Sequence, residues 1–311
     1  MVNGLTLNLF DFQEKAVLNL LDLSTDSNSK QTVVMKAPTG AGKTIILIEY
    51  VDEYFNKVNS NTAVIWLCPG KGDLEEQSRK KMISVAPHRK TQNLFDALQN
   101  GFEPESTTFI NWELVTKRGN TAIKDSERKN LFDRIADAHR KNMNFIVIID
   151  EEHSHNTAKA KVIIDAFAAK HIIRVSATAV QNNRYEYFEI DELDVIDEGL
   201  ITKALYVNEG VEDNIEISND YDYLLELADA KRKAIAQRYA EALSGGKIVR
   251  PLVLIQFPNG QPETIKAVET KLKSMGYTYD NGMVSIWMSE DKKDLTDNLT
   301  DNDGTPVFLL M

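Results

Sequence analysis

The chain has a single cysteine, Cys68, among 311 residues, so it can form no internal disulfide, and a reducing, cytoplasmic setting is the expectation. It has no apolar run near the roughly 20 residues that a membrane span requires. Its first residues, Met1-Val2-Asn3-Gly4-Leu5, carry no basic region ahead of an apolar stretch, so neither a secretion signal nor a membrane association is expected. Basic excess is missing too. A net charge of −11 argues against a protein that coats nucleic acid by electrostatics alone, but not against one that grips it locally. Arg79-Lys80-Lys81, His88-Arg89-Lys90 and Lys117-Arg118 are short basic groups that read equally as phosphate contacts or as solvated helix faces. His153-Ser154-His155 has no Cys or carboxylate cluster at ligand spacing to complete a zinc site.

What is present is alternation. The apolar runs 33–35, 63–67, 107–110, 145–149 and 172–175 are separated by helical patterns, which implies an α/β fold with a parallel sheet covered on both faces. Phe145-Ile146-Val147-Ile148-Ile149 is apolar at every position, as a central strand buried on both sides must be. From 186 to about 250 the chain turns acidic and less strand-like, with an amphipathic helix expected over 221–243. The strand 251–256 then opens a second unit. The expected layout is therefore a first domain at 1–185, an interdomain segment at 186–250 and an incomplete second domain at 251–311. Residues 305–311 read as a buried strand with nothing after it to cover its edge.

The most informative stretch is Ala37-Pro38-Thr39-Gly40-Ala41-Gly42-Lys43-Thr44, which follows the apolar run 32–35 and precedes a helix expected over 45–55. Strand, glycine-rich turn and helix are the context of a phosphate-binding P-loop. Gly40 and Gly42 let the backbone curl with its N–H groups inward, and the start of the helix adds its positive dipole end. Thr39, Gly40, Ala41, Gly42, Lys43 and Thr44 would then hold ATP, with Lys43 reaching the β- and γ-phosphates and the Thr44 hydroxyl completing a Mg²⁺ shell.

The central strand runs into Asp150-Glu151-Glu152-His153. Ligands of open parallel sheets lie beyond the carboxyl ends of the strands, which sets Asp150 beside the loop as a Mg²⁺ ligand and Glu151 where it can polarise the attacking water. His153 reads as a hydrogen-bonding partner of a neighbouring loop. Leu243-Ser244-Gly245-Gly246-Lys247 resembles the signature loop of ABC ATPases but follows the acidic strand end instead of preceding it, so it reads as a glycine-capped helix end.

Taken in order, Gln13 in Phe10-Asp11-Phe12-Gln13, the P-loop, 69–77, Ile110-Asn111-Trp112-Glu113, Asp150 to His153 and Ser176-Ala177-Thr178 resemble the motifs of a superfamily 2, DExH-type helicase. Alanine at position 37, where the strict loop has glycine, is a common variant among such motors. The resemblance implies two RecA-like domains, the second only begun here, and a nucleotide sandwiched between them. It implies that Gln13 recognises adenine, that Asp150, Glu151 and His153 belong to the catalytic box, and that Ser176 and Thr178 couple hydrolysis to movement. Pro69, Gln77, Asn111 and Trp112 would touch the backbone of one strand of duplex DNA.

Glu198-Gly199-Leu200-Ile201-Thr202-Lys203, Lys231-Arg232-Lys233 and 251–259 extend the resemblance to the restriction subunit of type III restriction-modification enzymes. A modification (methyltransferase) subunit is then an implied partner, phage defence an implied role, and an arginine supplied by a complete second domain would be needed for fast turnover. An RNA-directed helicase and a nucleotide-binding scaffold remain alternatives, because backbone contacts carry little sequence information.

Overall fold

The computed structural model describes residues 6–69, 74–112, 130–150, 158–205, 220–242, 250–258, 260–287 and 306–311. They divide into two compact units, Met1–Leu205 and Tyr206–Met311. Among the described residues no helix is long and apolar enough to cross a membrane.

The first unit is built on seven parallel strands: β1 (Thr32–Lys36), β2 (Thr62–Cys68), β3 (Lys90–Asn93), β4 (Ser106–Asn111), β5 (Asn144–Asp150), β6 (His171–Ser176) and β7 (Glu186–Glu189), in the spatial order β3-β4-β2-β5-β6-β1-β7. The helices are α1 (Asp11–Thr25), α2 (Lys43–Lys57), α3 (Leu74–Val85), α4 (Leu94–Asn100), α5 (Leu131–Arg140), α6 (Ala158–Ala166) and α7 (Glu192–Asp197). Side chains alternate across a strand, so each central strand feeds two cores. Ile146 and Ile148 of β5, with Val64 and Trp66 of β2, pack against Val17 and Leu20 of α1 and Ile46 and Tyr50 of α2. Phe145, Val147 and Ile149, with Ile65 and Leu67, pack against Leu131 and Ile135 of α5 and Ile163 of α6. The all-apolar run of β5 is thus explained by burial on both faces, and β5 is the middle strand.

Polar groups set the helix ends. Asn93 accepts from the backbone N–H of Asp96, whose carboxylate accepts from the N–H of Asn93, and Asn130 and Asp133 repeat the arrangement at α5. Each such reciprocal cap contributes about 1 kcal/mol. Inside, the buried carboxylate of Asp52 on α2 takes His88 Nε2 and Arg89 Nε, both at 2.5 Å, and ties the turn before β3 to that helix.

The sequence reading closes the first domain at 185, whereas Glu186–Glu189 adds β7 to the free side of β1, pairing Met35 with Phe188 and Lys36 with Glu189. A short edge strand of mixed composition carries no apolar run to announce it.

The second unit contains α8 (Asp220–Ala242), β8 (Val253–Ile255), α9 (Pro262–Ser274), β9 (Val284–Ile286) and β10 (Phe308–Leu310). Its parallel sheet has the order β8-β10-β9, so β10 is paired on both sides, by β8 and by β9. The expected uncovered edge at 305–311 is therefore corrected: earlier segments flank the last strand. Phe308 is fully buried, with the Tyr277 ring 4.9 Å from its own. The buried Asp229 on α8 binds Arg232, Lys233 and the Tyr277 hydroxyl and fixes α8 to the turn after α9. The loop 243–247 lies outside the described residues.

Candidate nucleotide-binding site

Because all seven strands of the first unit run the same way, their carboxyl ends share one rim, and the pairing register orders the residues along it. Asn111 is level with Cys68, Leu67 with Ile149, Asp150 with Val175, Val175 with Met35, and Ser176 with Lys36. The loop 37–44 leaves β1, and Asp150 ends β5 two strands away. Strands lie about 4.8 Å apart, so roughly 10 Å separates their backbones, room for a hydrated Mg²⁺ and a phosphate but not for direct contact.

The loop has the expected shape. Gly40 sits at φ 95° and Gly42 at φ 78°, left-handed values that a side chain would strain. Ala41 N–H donates to the Pro38 carbonyl at 3.2 Å, and Ala37 N–H to the Ser176 carbonyl at 3.2 Å. Gly42 caps α2, which begins at Lys43; its carbonyl accepts the Ile45 and Ile46 N–H groups at 2.8 and 3.1 Å, and the positive dipole end of the helix that opens there suits an anion. The Lys43 ammonium lies 3.4 Å from the carbonyls of Ala37 and Pro38, folded along the loop it is expected to serve. Thr39 is exposed and Thr44 half-buried. These donors fit a Mg²⁺–nucleotide: backbone N–H groups and an ammonium for phosphate, a hydroxyl and a carboxylate for a cation that keeps most of its waters. Among the described residues no group of three or more His, Cys, Asp or Glu could form an all-protein metal cage.

Gln13 is brought to this loop. Its Oε1 accepts from the Phe10 N–H at 3.1 Å and its Nε2 donates to the Ala41 carbonyl at 3.0 Å, leaving one N–H and one lone pair on the amide. On the other flank the Thr178 N–H donates to Ser176 Oγ at 3.2 Å, and the two hydroxyls lie 3.3 Å apart. Ser176 thus touches the loop through its carbonyl, and Thr178 in turn is held to the Ser176 hydroxyl. Burial, with Asp150 nearby, pushes the Cys68 thiol up and keeps it protonated.

Pro69 and Asn111 fall on the other half of the rim, beyond β2 and β4, and Gln77 is exposed on α3. Glu75 on the same helix has its pKa raised by burial, with the Asn111 N–H pulling the other way, which links the two elements. Trp112, expected to touch the strand backbone, is 3% exposed and grouped with Ile110, Leu131 and Ile149 in the second core. Of the basic groups, Arg79 is paired with Glu76, and His88 and Arg89 with Asp52. Glu151, His153 and Lys117-Arg118 lie outside the described residues.

Residues 6–181 match the family described as type III restriction enzyme, res subunit. None of the curated proteins compared with the chain matches it. Among solved structures, similarity extends to the Sulfolobus solfataricus SWI2/SNF2 ATPase core in complex with dsDNA, at 13% identity and TM-score 0.45, covering 100% of this chain and 79% of that one. The Type ISP restriction-modification enzyme LlaGI with a DNA substrate mimic is 13% identical at TM-score 0.41, covering 75% of this chain but 23% of that one. S. cerevisiae Dbp5 bound to RNA and ADP BeF3 is 16% identical at TM-score 0.41, covering 96% and 69%.

Proposed function

The chain belongs to the family of type III restriction enzyme res subunits, and on that footing we propose that it is the ATP-driven motor portion of a restriction or related phage-defence enzyme, moving on duplex DNA by tracking one strand. One observation carries the reading: the loop 37–44, with Lys43 and Thr44 at the start of α2, shares a rim with Asp150 two strands away.

In this reading the inward N–H groups of the loop and Lys43 hold the β- and γ-phosphates, while Thr44 and Asp150 take the Mg²⁺. Bound Mg²⁺ supplies neutralisation of charge developing on the phosphate oxygens. Glu151 orients water for attack and His153 hands the state of the site to a neighbouring loop. Ser176 and Thr178 relay loop position, since Ser176 already accepts the Ala37 N–H. Pro69, Gln77 and Asn111 contact the strand backbone from the other half of the rim, and a modification-type methyltransferase subunit supplies base recognition.

The test is titration of fluorescent ATP with Mg²⁺ into the protein and its Lys43→Ala variant, followed by ATPase assays with duplex DNA, single strands and RNA. Binding weakened at least tenfold in the variant, with turnover that is very slow and whose small stimulation is greatest with duplex DNA, is the expected result. Equal binding by both proteins sinks the reading, and stronger stimulation by RNA replaces its nucleic acid.

A further inference from the structure

The phosphate loop has a second neighbour outside the motifs. After β6 the chain pairs β7 to β1, donates the Ile190 N–H to the Lys36 carbonyl at 2.9 Å, and enters the short helix α7. That helix is anchored by the fully buried Val195 and ends in a closed cap. Gly199 at φ 71° donates to the Ile196 carbonyl at 2.8 Å, and Leu200 to the Val195 carbonyl at 3.1 Å. This is the paired hydrogen-bond pattern that turns a chain sharply at a helix end.

The turn delivers Ile201 onto the loop. A Cβ built on Gly40 would lie 2.5 Å from Ile201 Cγ2 and 3.4 Å from the Leu200 carbonyl oxygen, so the Ile201 methyl rests directly over the Gly40 backbone. Gly40 itself remains exposed. Gly42, two residues on, meets Gln13 in the same way, with its notional Cβ 2.5 Å from Gln13 Nε2. The loop is therefore bracketed by one side chain from before it and one from far after it.

We infer that Ile201 is a positioning residue of the nucleotide site, coupling the state of the phosphate loop to the 199–202 turn that leads out of the first unit. The inference rests on the ATP reading. Ile201 is partly buried against the first core, so a shift of the loop beneath its methyl must be met by a shift of the turn or a new rotamer. If ATP shifts the turn, a change in the turn shifts ATP affinity by the same factor, since equilibrium coupling is reciprocal.

The experiment is hydrogen exchange on the intact chain with and without Mg·ATP, read at 38–44 and at 199–202, together with ATP affinities of Ile201→Ala and Ile201→Val. Valine keeps the Cγ2 methyl that meets Gly40; alanine removes it. The expected result is altered exchange in both segments on adding ATP, affinity about fivefold or more changed in Ile201→Ala, and affinity close to the parent in Ile201→Val. Response at 38–44 with silence at 199–202, or equal affinities in both variants, overturns the inference and leaves the ATP site standing. Silence in both segments removes the ATP reading and the inference with it. Should Ile201→Ala fail to fold, the exchange pattern of the parent and the affinity of Ile201→Leu, which moves the branch off Cβ, decide the matter in the same sense.

Discussion

The side-chain amide of Gln13 donates to the main-chain carbonyl of Ala41 at 3.0 Å, joining the first turn of α1 to the middle of the phosphate loop across 28 residues of sequence. Replacing Gln13 with alanine leaves the Ala41 carbonyl and the Phe10 N–H without their partners, at a cost of about 1–3 kcal/mol. Gln13→Ala is therefore expected to weaken ATP binding about tenfold and to lower the melting temperature. Unchanged affinity in a nucleotide titration would show that the loop holds its shape without this bond.

Gly42→Ala is expected to damage the site for two separable reasons. The residue sits at φ 78°, where a non-glycine residue costs about 1–2 kcal/mol, and the new methyl meets Gln13 Nε2. Removing the amide relieves only the second. A double-mutant cycle with Gln13→Ala should give a double variant less impaired than the sum of the singles. Strict additivity in ATP affinity would refute the contact.

Glu49 on α2 is 4% exposed, and burial, followed by the negative charges of Asp52 and Glu53, raises its pKa to about 7. Its Oε2 has no hydrogen-bond partner. A carboxyl whose folded pKa exceeds its unfolded value binds more protons when folded, so stability falls as pH rises from about 4.5 to 7 and stays low above that. His171 slopes the other way: burial, then the charge of Lys170, lowers its pKa to about 4, so its share is lost as pH falls below about 6.5. Comparison with Glu49→Gln isolates the first group. The variant should be more stable than the parent by about 2 kcal/mol at pH 8 and nearly equal to it at pH 5, as read by chemical denaturation. An equal gain at both values would assign the effect to packing.

In the second unit, burial alone would raise the pKa of Asp229, but hydrogen bonds from Lys233, Arg232 and Tyr277 outweigh it and hold the carboxyl below its ordinary range. The stability this contributes is present above the unfolded pKa and is lost as pH falls through the folded one. Asp229→Asn should cost about 1–3 kcal/mol at neutral pH, with the difference from the parent shrinking toward pH 3. A penalty that is flat with pH would place the effect in shape instead of charge.

The sheet's central strands were legible because their chemistry is extreme: 145–149 has no polar residue, and 32–35 runs straight into a loop whose glycines and lysine have few other uses. Lys90–Asn93 was not, since a four-residue strand of Lys, Thr, Gln and Asn has no apolar pattern and owes its pairing to β4. The burial of Trp112 is not legible in the sequence, because an aromatic after a strand end suits a strand-binding surface and a core equally, and the packing of α5 and α6 behind it is what buries the ring. Ile201 was part of a quoted motif, but nothing in Gly-Leu-Ile-Thr says which loop the isoleucine will touch; that depends on β7 returning to β1.

Strand β1 is synthesised early and completed late. Both its neighbours, β6 and β7, come from beyond Lys170, so a nascent chain that already contains the entire phosphate loop has no sheet on which to hang it. Parallel pairings between such distant segments are slow, because chain-closure entropy is spent before any contact repays it. The first unit thus links the two parts of its candidate site only after residues near Ser176 have left the ribosome, and a chain interrupted before Lys170 would carry the whole loop and Asp150 without the strand that joins them.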